Sequence, residues 1–189
     1  MFESFASFIF VKNGTMSEQE LIDIIDAWEN LPLMIELTAK NEANYSLLVH
    51  VALYNQSKYS WRAAYLVDKI NDLHTELLLP YIEAMILQLK KEDNRSKKRH
   101  FLKLISQHSI PEKFYGFLID YCLEVLSSAK EPPAVRVHAM QILYHISEVE
   151  TDLKPELLLV IEHEMEFHAT AGILARGRKL ATKLRKQIK

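Results

Sequence analysis

The densest run of side chains able to hold a metal or move a proton is Glu162-His163-Glu164-Met165-Glu166-Phe167-His168. A zinc-protease helix needs two histidines four residues apart, so that both imidazoles leave one side of the helix. Here the separation is five, about 140° around an α-helix. These rings diverge around the helix, and the sequence argues against a metal centre. Cys122 is the sole cysteine. It sits among apolar neighbours in Phe117-Leu-Ile-Asp-Tyr-Cys-Leu123 and reads as a small core residue rather than a nucleophile. A lone cysteine forms no intramolecular disulfide, which favours a reducing, cytoplasmic setting. No glycine-rich phosphate loop, pair of catalytic carboxylates or Ser-His-Asp order is visible. The expectation is a chain without a catalytic centre, cofactor or metal.

What elements carry these residues follows from composition. Of 189 residues, 49% are hydrophobic and 25% charged, an ordinary globular balance. Four glycines and six prolines leave few of the punctuators that turn-rich β-folds need, so helices are expected and little or no sheet. No stretch approaches the eighteen or so uninterrupted apolar residues of a membrane span. Residues 1 to 15 look foreign to the rest, and their short apolar run Phe8 to Val11 lacks the flanks of a signal peptide. They read as a loosely attached extension. Ser17, followed three residues later by Glu20, reads as a capping box opening the first helix, and a single domain is expected over 16–189.

The sequence repeats itself. Pro132 to Ile146 reads as a helix with prolines at its start and an apolar stripe of helical period. A shift of 38 residues in either direction recovers the pattern. Ala139 aligns with Ala63, Phe101 and Gly177; Ile142 with Leu66, Leu104 and Leu180; Leu143 with Val67, Ile105 and Ala181. Ile146 aligns with Ile70, His108 and Leu184. Between these helices lie mostly apolar ones at Glu76 to Leu89, Lys113 to Leu126 and Glu156 to Met165. The unit is a helical hairpin, and each can bury its stripe only against its neighbours. Asn44 to Tyr54 with Lys58 to Asp72 form the first complete hairpin; Ser17 to Asn30 and Pro32 to Lys40 lie off register and are expected to cap the stack.

The stretch Leu118 to Leu143 resembles a HEAT repeat: a leucine-rich first helix, a turn at Pro132-Pro133, then Val135-Arg136, Ala139 and Leu143 on the second helix. Lys98 stands in the column of Arg136, whereas Ser60 and Leu174 occupy it elsewhere. The resemblance implies an all-α, right-handed superhelical stack of antiparallel helix pairs, a HEAT- or armadillo-like α-solenoid of about ten helices. It also implies that the second helix of each pair lines the concave side.

In the same register the remaining columns of the second helices form a ridge. One residue before the alanine column stand Arg62, His100, His138 and Arg176; two after it, Tyr65, Lys103, Gln141 and Lys179; six after it, Lys69, Gln107, His145 and Lys183. These columns hold no carboxylate, while the first helices are acidic. With Trp61 and Arg136, they make the expected binding surface. The formal net charge is −2, yet residues 170 to 189 carry seven cations and no acid. Such a surface steers anionic partners, and the reading is a non-catalytic scaffold for a protein segment or acidic peptide. The alternative is nucleic acid: Trp61-Arg62, with Asp68 on the same ridge, resembles the bacterial HEAT-like alkylpurine DNA glycosylases, although the other aromatic cleft residues of that family have no counterpart here.

Overall fold

The computed structural model describes residues 15–188. The expected N-terminal extension, but for Thr15, lies outside the described residues. Those residues form ten α-helices and two 3-10 segments, with no strand among them. The chain divides into two compact units, one ending at Leu77 and the other beginning at Leu78.

The first unit holds four helices: α1 (Glu18–Ala27), α2 (Leu31–Ala39), α3 (Glu42–Tyr54) and α4 (Ser60–Asn71). The capping box that opens α1 is formed, with Ser17 accepting from the Glu20 amide and the Glu20 carboxylate accepting from the Ser17 amide at 2.8 Å. The helix stops at Trp28, which adopts the left-handed region (φ 55°). Asn30 does the same (φ 49°) before Pro32 enters the first turn of α2, where its missing N–H goes unmissed. Helix α3 packs against both α2 and α4, while α1 lies on α3 and α2 on α4. With neighbours on several sides α3 is apolar nearly all round, burying Tyr45, Leu48, Val49, Val51, Ala52 and Leu53.

The segment Thr75–Tyr81 is a 3-10 helix, and α5 covers only Ile82–Leu89. The single helix expected over Glu76 to Leu89 is divided because Pro80 lies within it; proline lacks the amide an α-turn needs and clashes with the carbonyl four residues back. The second unit continues with α6 (Arg95–Ile105), a 3-10 turn at Glu112–Phe114, α7 (Tyr115–Ser127), α8 (Pro133–Ser147), α9 (Leu153–Phe167) and α10 (Ala171–Gln187). Asn94 caps α6 through the Ser96 and Lys97 amides, and Thr170 caps α10 through Ile173. Helices α7 with α8 and α9 with α10 form hairpins; α6, α8 and α10 pack in sequence as second helices, and α9 follows α7 among the first.

All sixteen residues of the four aligned apolar columns are buried. The 38-residue spacing is thus the spacing at which successive second helices present the same stripe to the core, and α6, α8 and α10 begin at Arg95, Pro133 and Ala171, 38 residues apart. His108, the polar member, is 8% exposed. Gly177 marks a close approach: a Cβ there would lie 2.7 Å from Met165 Sδ on α9.

Candidate functional site

Two of the three ridge columns are at the surface. In the first unit Tyr65 and Lys69 are half-buried on α4, with the Lys69 ammonium 5.6 Å from the Tyr65 ring centre and 3.5 Å from the Asp72 carboxylate. In the second unit Lys103 and Gln141 are half-buried and His145, Lys179 and Lys183 exposed. Residues four apart on a helix share a face, so Gln141 with His145 and Lys179 with Lys183 each form one edge. The edges are connected: Arg176 on α10 donates to the Gln141 side-chain carbonyl, and the Gln141 amide lies 2.7 Å from His145 Nε2. The amide donates, so that imidazole nitrogen accepts. Burial holds the His145 pKa below its ordinary value, with Lys183 and Arg176 pushing the same way and Glu148 opposing. Lys183 lies 5.1 Å over the Tyr144 ring. Lys179 pairs with nothing among the described residues.

Where α6 and α8 end, a cleft of about 440 Å³ opens, with Gln107, His108, Tyr115, His145 and Glu148 among its walls. Burial lowers the His108 pKa as it does that of His145, so the cleft presents two imidazoles that resist protonation. Sequence reasoning missed it, because Tyr115 and Glu148 come from a first helix and a turn, outside the aligned columns.

Several residues placed on the ridge by register are engaged inside. Arg136 is buried: its Nε donates to the Leu126 carbonyl at 2.8 Å and its guanidinium pairs with the Glu164 carboxylate. It ties the end of α7 to α9 instead of facing a ligand, since its column points toward the neighbouring pairs. His100 is 2% exposed, and His138 is half-buried. Arg62 reaches back to α1, donating to the carbonyls of Asp26 at 2.8 Å and Ile25 at 3.3 Å. Its guanidinium lies 4.1 Å from the Tyr59 ring centre, 5.0 Å from Trp28 and 5.8 Å from Trp61. Trp61, 5.9 Å from Trp28 between ring centres, is half-buried as a wedge between α4 and the end of α1. Asp68 is 4% exposed, so it does not face an open groove as the glycosylase resemblance requires.

Cys122 is fully buried, and burial raises its pKa strongly; its thiol stays protonated inside α7. The histidine cluster departs from the geometry expected of it. Helix α9 ends at Phe167, and His168 leaves the helical register (φ −130°, ψ 39°). Its Nδ1 swings to 2.8 Å from Glu164 Oε2, while His163 Nδ1 lies 3.3 Å from Oε1. The divergence computed for a continuous helix therefore does not apply.

A two-layer packing of helix pairs with a fixed-period buried stripe defines a helical-repeat scaffold. A family model described as HEAT repeat domain matches residues 19–184, and the chain belongs to that family. No curated protein and no solved structure is significantly similar to it. Among the described residues, no helix is long and apolar enough to cross a membrane.

Proposed function

We propose that this HEAT repeat chain is a non-catalytic binding scaffold whose second unit takes an acidic or amphipathic protein segment along Lys103, Gln141, His145, Lys179 and Lys183. One observation carries the reading: these positions recur on α6, α8 and α10, each is half-buried or exposed, and none is a carboxylate. Lysines supply long-range attraction, while Gln141 and His145 supply directional hydrogen bonds from a linked pair. Arg62, His100 and Arg136 take no part, because each is held within the fold.

The experiment is fluorescence anisotropy with a labelled Glu/Asp-rich peptide and, separately, a labelled duplex DNA, using the native chain and a Lys103→Glu/Lys179→Glu/Lys183→Glu variant. The native chain should bind the peptide, and charge reversal should weaken it at least about tenfold with an unchanged circular dichroism spectrum. Tighter binding to duplex than to peptide would transfer the surface to the nucleic-acid reading. Peptide binding indifferent to the reversal would remove it from these helices.

A further inference from the structure

Independently of the ridge, the turn between α9 and α10 gathers three groups of another chemistry. His163, Glu164 and His168 each offer one ligand atom, and the three atoms lie within 4.8 Å of one another. We propose that these residues bind a divalent transition-metal ion of the zinc type. Imidazole nitrogen and carboxylate oxygen are the ligand types such ions prefer. Metal–ligand bonds of about 2 Å put ligand atoms about 3.3 Å apart around a tetrahedron. The imidazole nitrogens of His163 and His168 stand 3.3 and 2.8 Å from different oxygens of the Glu164 carboxylate, and the trio spans up to 4.8 Å, so closing on one ion takes a rotation that moves the exposed imidazoles by about 1 Å.

The surroundings support a binding role. A carboxylate that ligates a metal is commonly fixed by a second hydrogen bond from behind. Glu164, 2% exposed, has this from Arg136, itself anchored to the Leu126 carbonyl. The histidine side chains are open to water, 57% exposed for His163 and 37% for His168, which gives an ion access and lets it keep water in its remaining positions. In the metal-free molecule each Nδ1 rests against Glu164 and can donate to it. Binding requires the other neutral tautomer, with the proton on Nε2 and the Nδ1 lone pair toward the ion, and needs no redox partner. Arg136 sets the limit on affinity: its positive charge behind the carboxylate repels a dication, so the site is a loading site of moderate affinity rather than a closed structural one. Two ligands sit on α9 and the third in the turn before Thr170, the cap of α10, so a bound ion fastens the turn that starts the last helix.

The test is isothermal titration calorimetry of the untagged full-length chain with zinc at neutral pH, accompanied by thermal unfolding with and without the ion. One site is expected with a Kd in the micromolar range, together with a rise in Tm on adding zinc. His163→Ala and His168→Ala should each weaken binding at least tenfold and abolish that rise, while His74→Ala, far along the chain in the first unit, should leave both unchanged. Because His163 and His168 are exposed, the variants should fold, which circular dichroism checks. No measurable zinc binding, or binding unchanged in the His163→Ala/His168→Ala double variant, overturns the proposal.

Discussion

Arg136 and Glu164 show how much one buried pair can decide. Both side chains are nearly sealed from water, at 4% and 2% exposed, and removing one leaves the other charged, desolvated and uncompensated. Such truncations cost about 3–5 kcal/mol, whereas replacing both partners with apolar residues of similar volume is often neutral. Arg136→Met alone should therefore lower stability by about 3–5 kcal/mol, as read from urea unfolding by circular dichroism. Arg136→Met with Glu164→Leu should recover most of that loss. His163 and His168 complicate the recovery, since both turn a nitrogen toward Glu164 and lose that partner in the double variant. A double variant no more stable than Arg136→Met would show that Glu164 serves the histidines more than the arginine. The pair Lys97–Glu92, at 2.7 Å and with both side chains buried, follows the same physics beside α6.

At the scale of elements, helix ends explain more than helix interiors. Helix α1 has no basic residue in its last turn and terminates in a left-handed tryptophan, a costly conformation for a bulky residue. Arg62 of α4 supplies what α1 lacks, a cation and donors at the negative end of its dipole, and lies over the Trp28 ring itself. Charge-assisted hydrogen bonds and ring contact of this kind amount to about 2 kcal/mol. Arg62→Ala should cost the first unit about that much, and Arg62→Lys somewhat less, because lysine keeps the charge but not the planar fork. Hydrogen exchange at α1 amides is the sensitive measurement, and protection in α1 indifferent to Arg62→Ala would refute the capping role.

The same scale shows why part of the molecule was legible in advance. Burial stripes are periodic, so the 38-residue register located four helices and their sixteen inward positions from residue types alone. Register gives an angle around a helix axis, but not how far a long side chain reaches or where the helix stops. Register therefore places Arg136 and Arg62 on an outer face although both reach inward, and projects His168 onto a helix that ends one residue earlier. Proline inside an apolar run was the available sign that Glu76 to Leu89 would divide. The cleft beside His108 had no sequence signal, since its walls come from segments with different periods.

For the whole molecule, the net charge of −2 predicts weak repulsion of an acidic partner, whereas the surface lysines of the second unit predict attraction; distance decides between them. At physiological ionic strength the screening length is about 8 Å, so a partner lying on α8 and α10 responds to Lys179, Lys183 and the Gln141–His145 edge and little to acids farther away. Low salt lengthens that range and admits more of the distant negative charge, while high salt screens even the nearby lysines. Binding of a Glu/Asp-rich peptide should consequently weaken by about tenfold or more as salt rises from physiological strength to about 0.5 M. Neutralising Lys103, Lys179 and Lys183 to glutamine should flatten that dependence as well as lower the affinity, because the screened charges are then gone. An interface built on apolar contact would give the opposite pattern, with affinity level or rising with salt and unaltered slope in the glutamine variant. The slope of affinity against salt, compared between the two chains, therefore distinguishes a surface that works through its charges from one whose lysines only keep an exposed helix face hydrated.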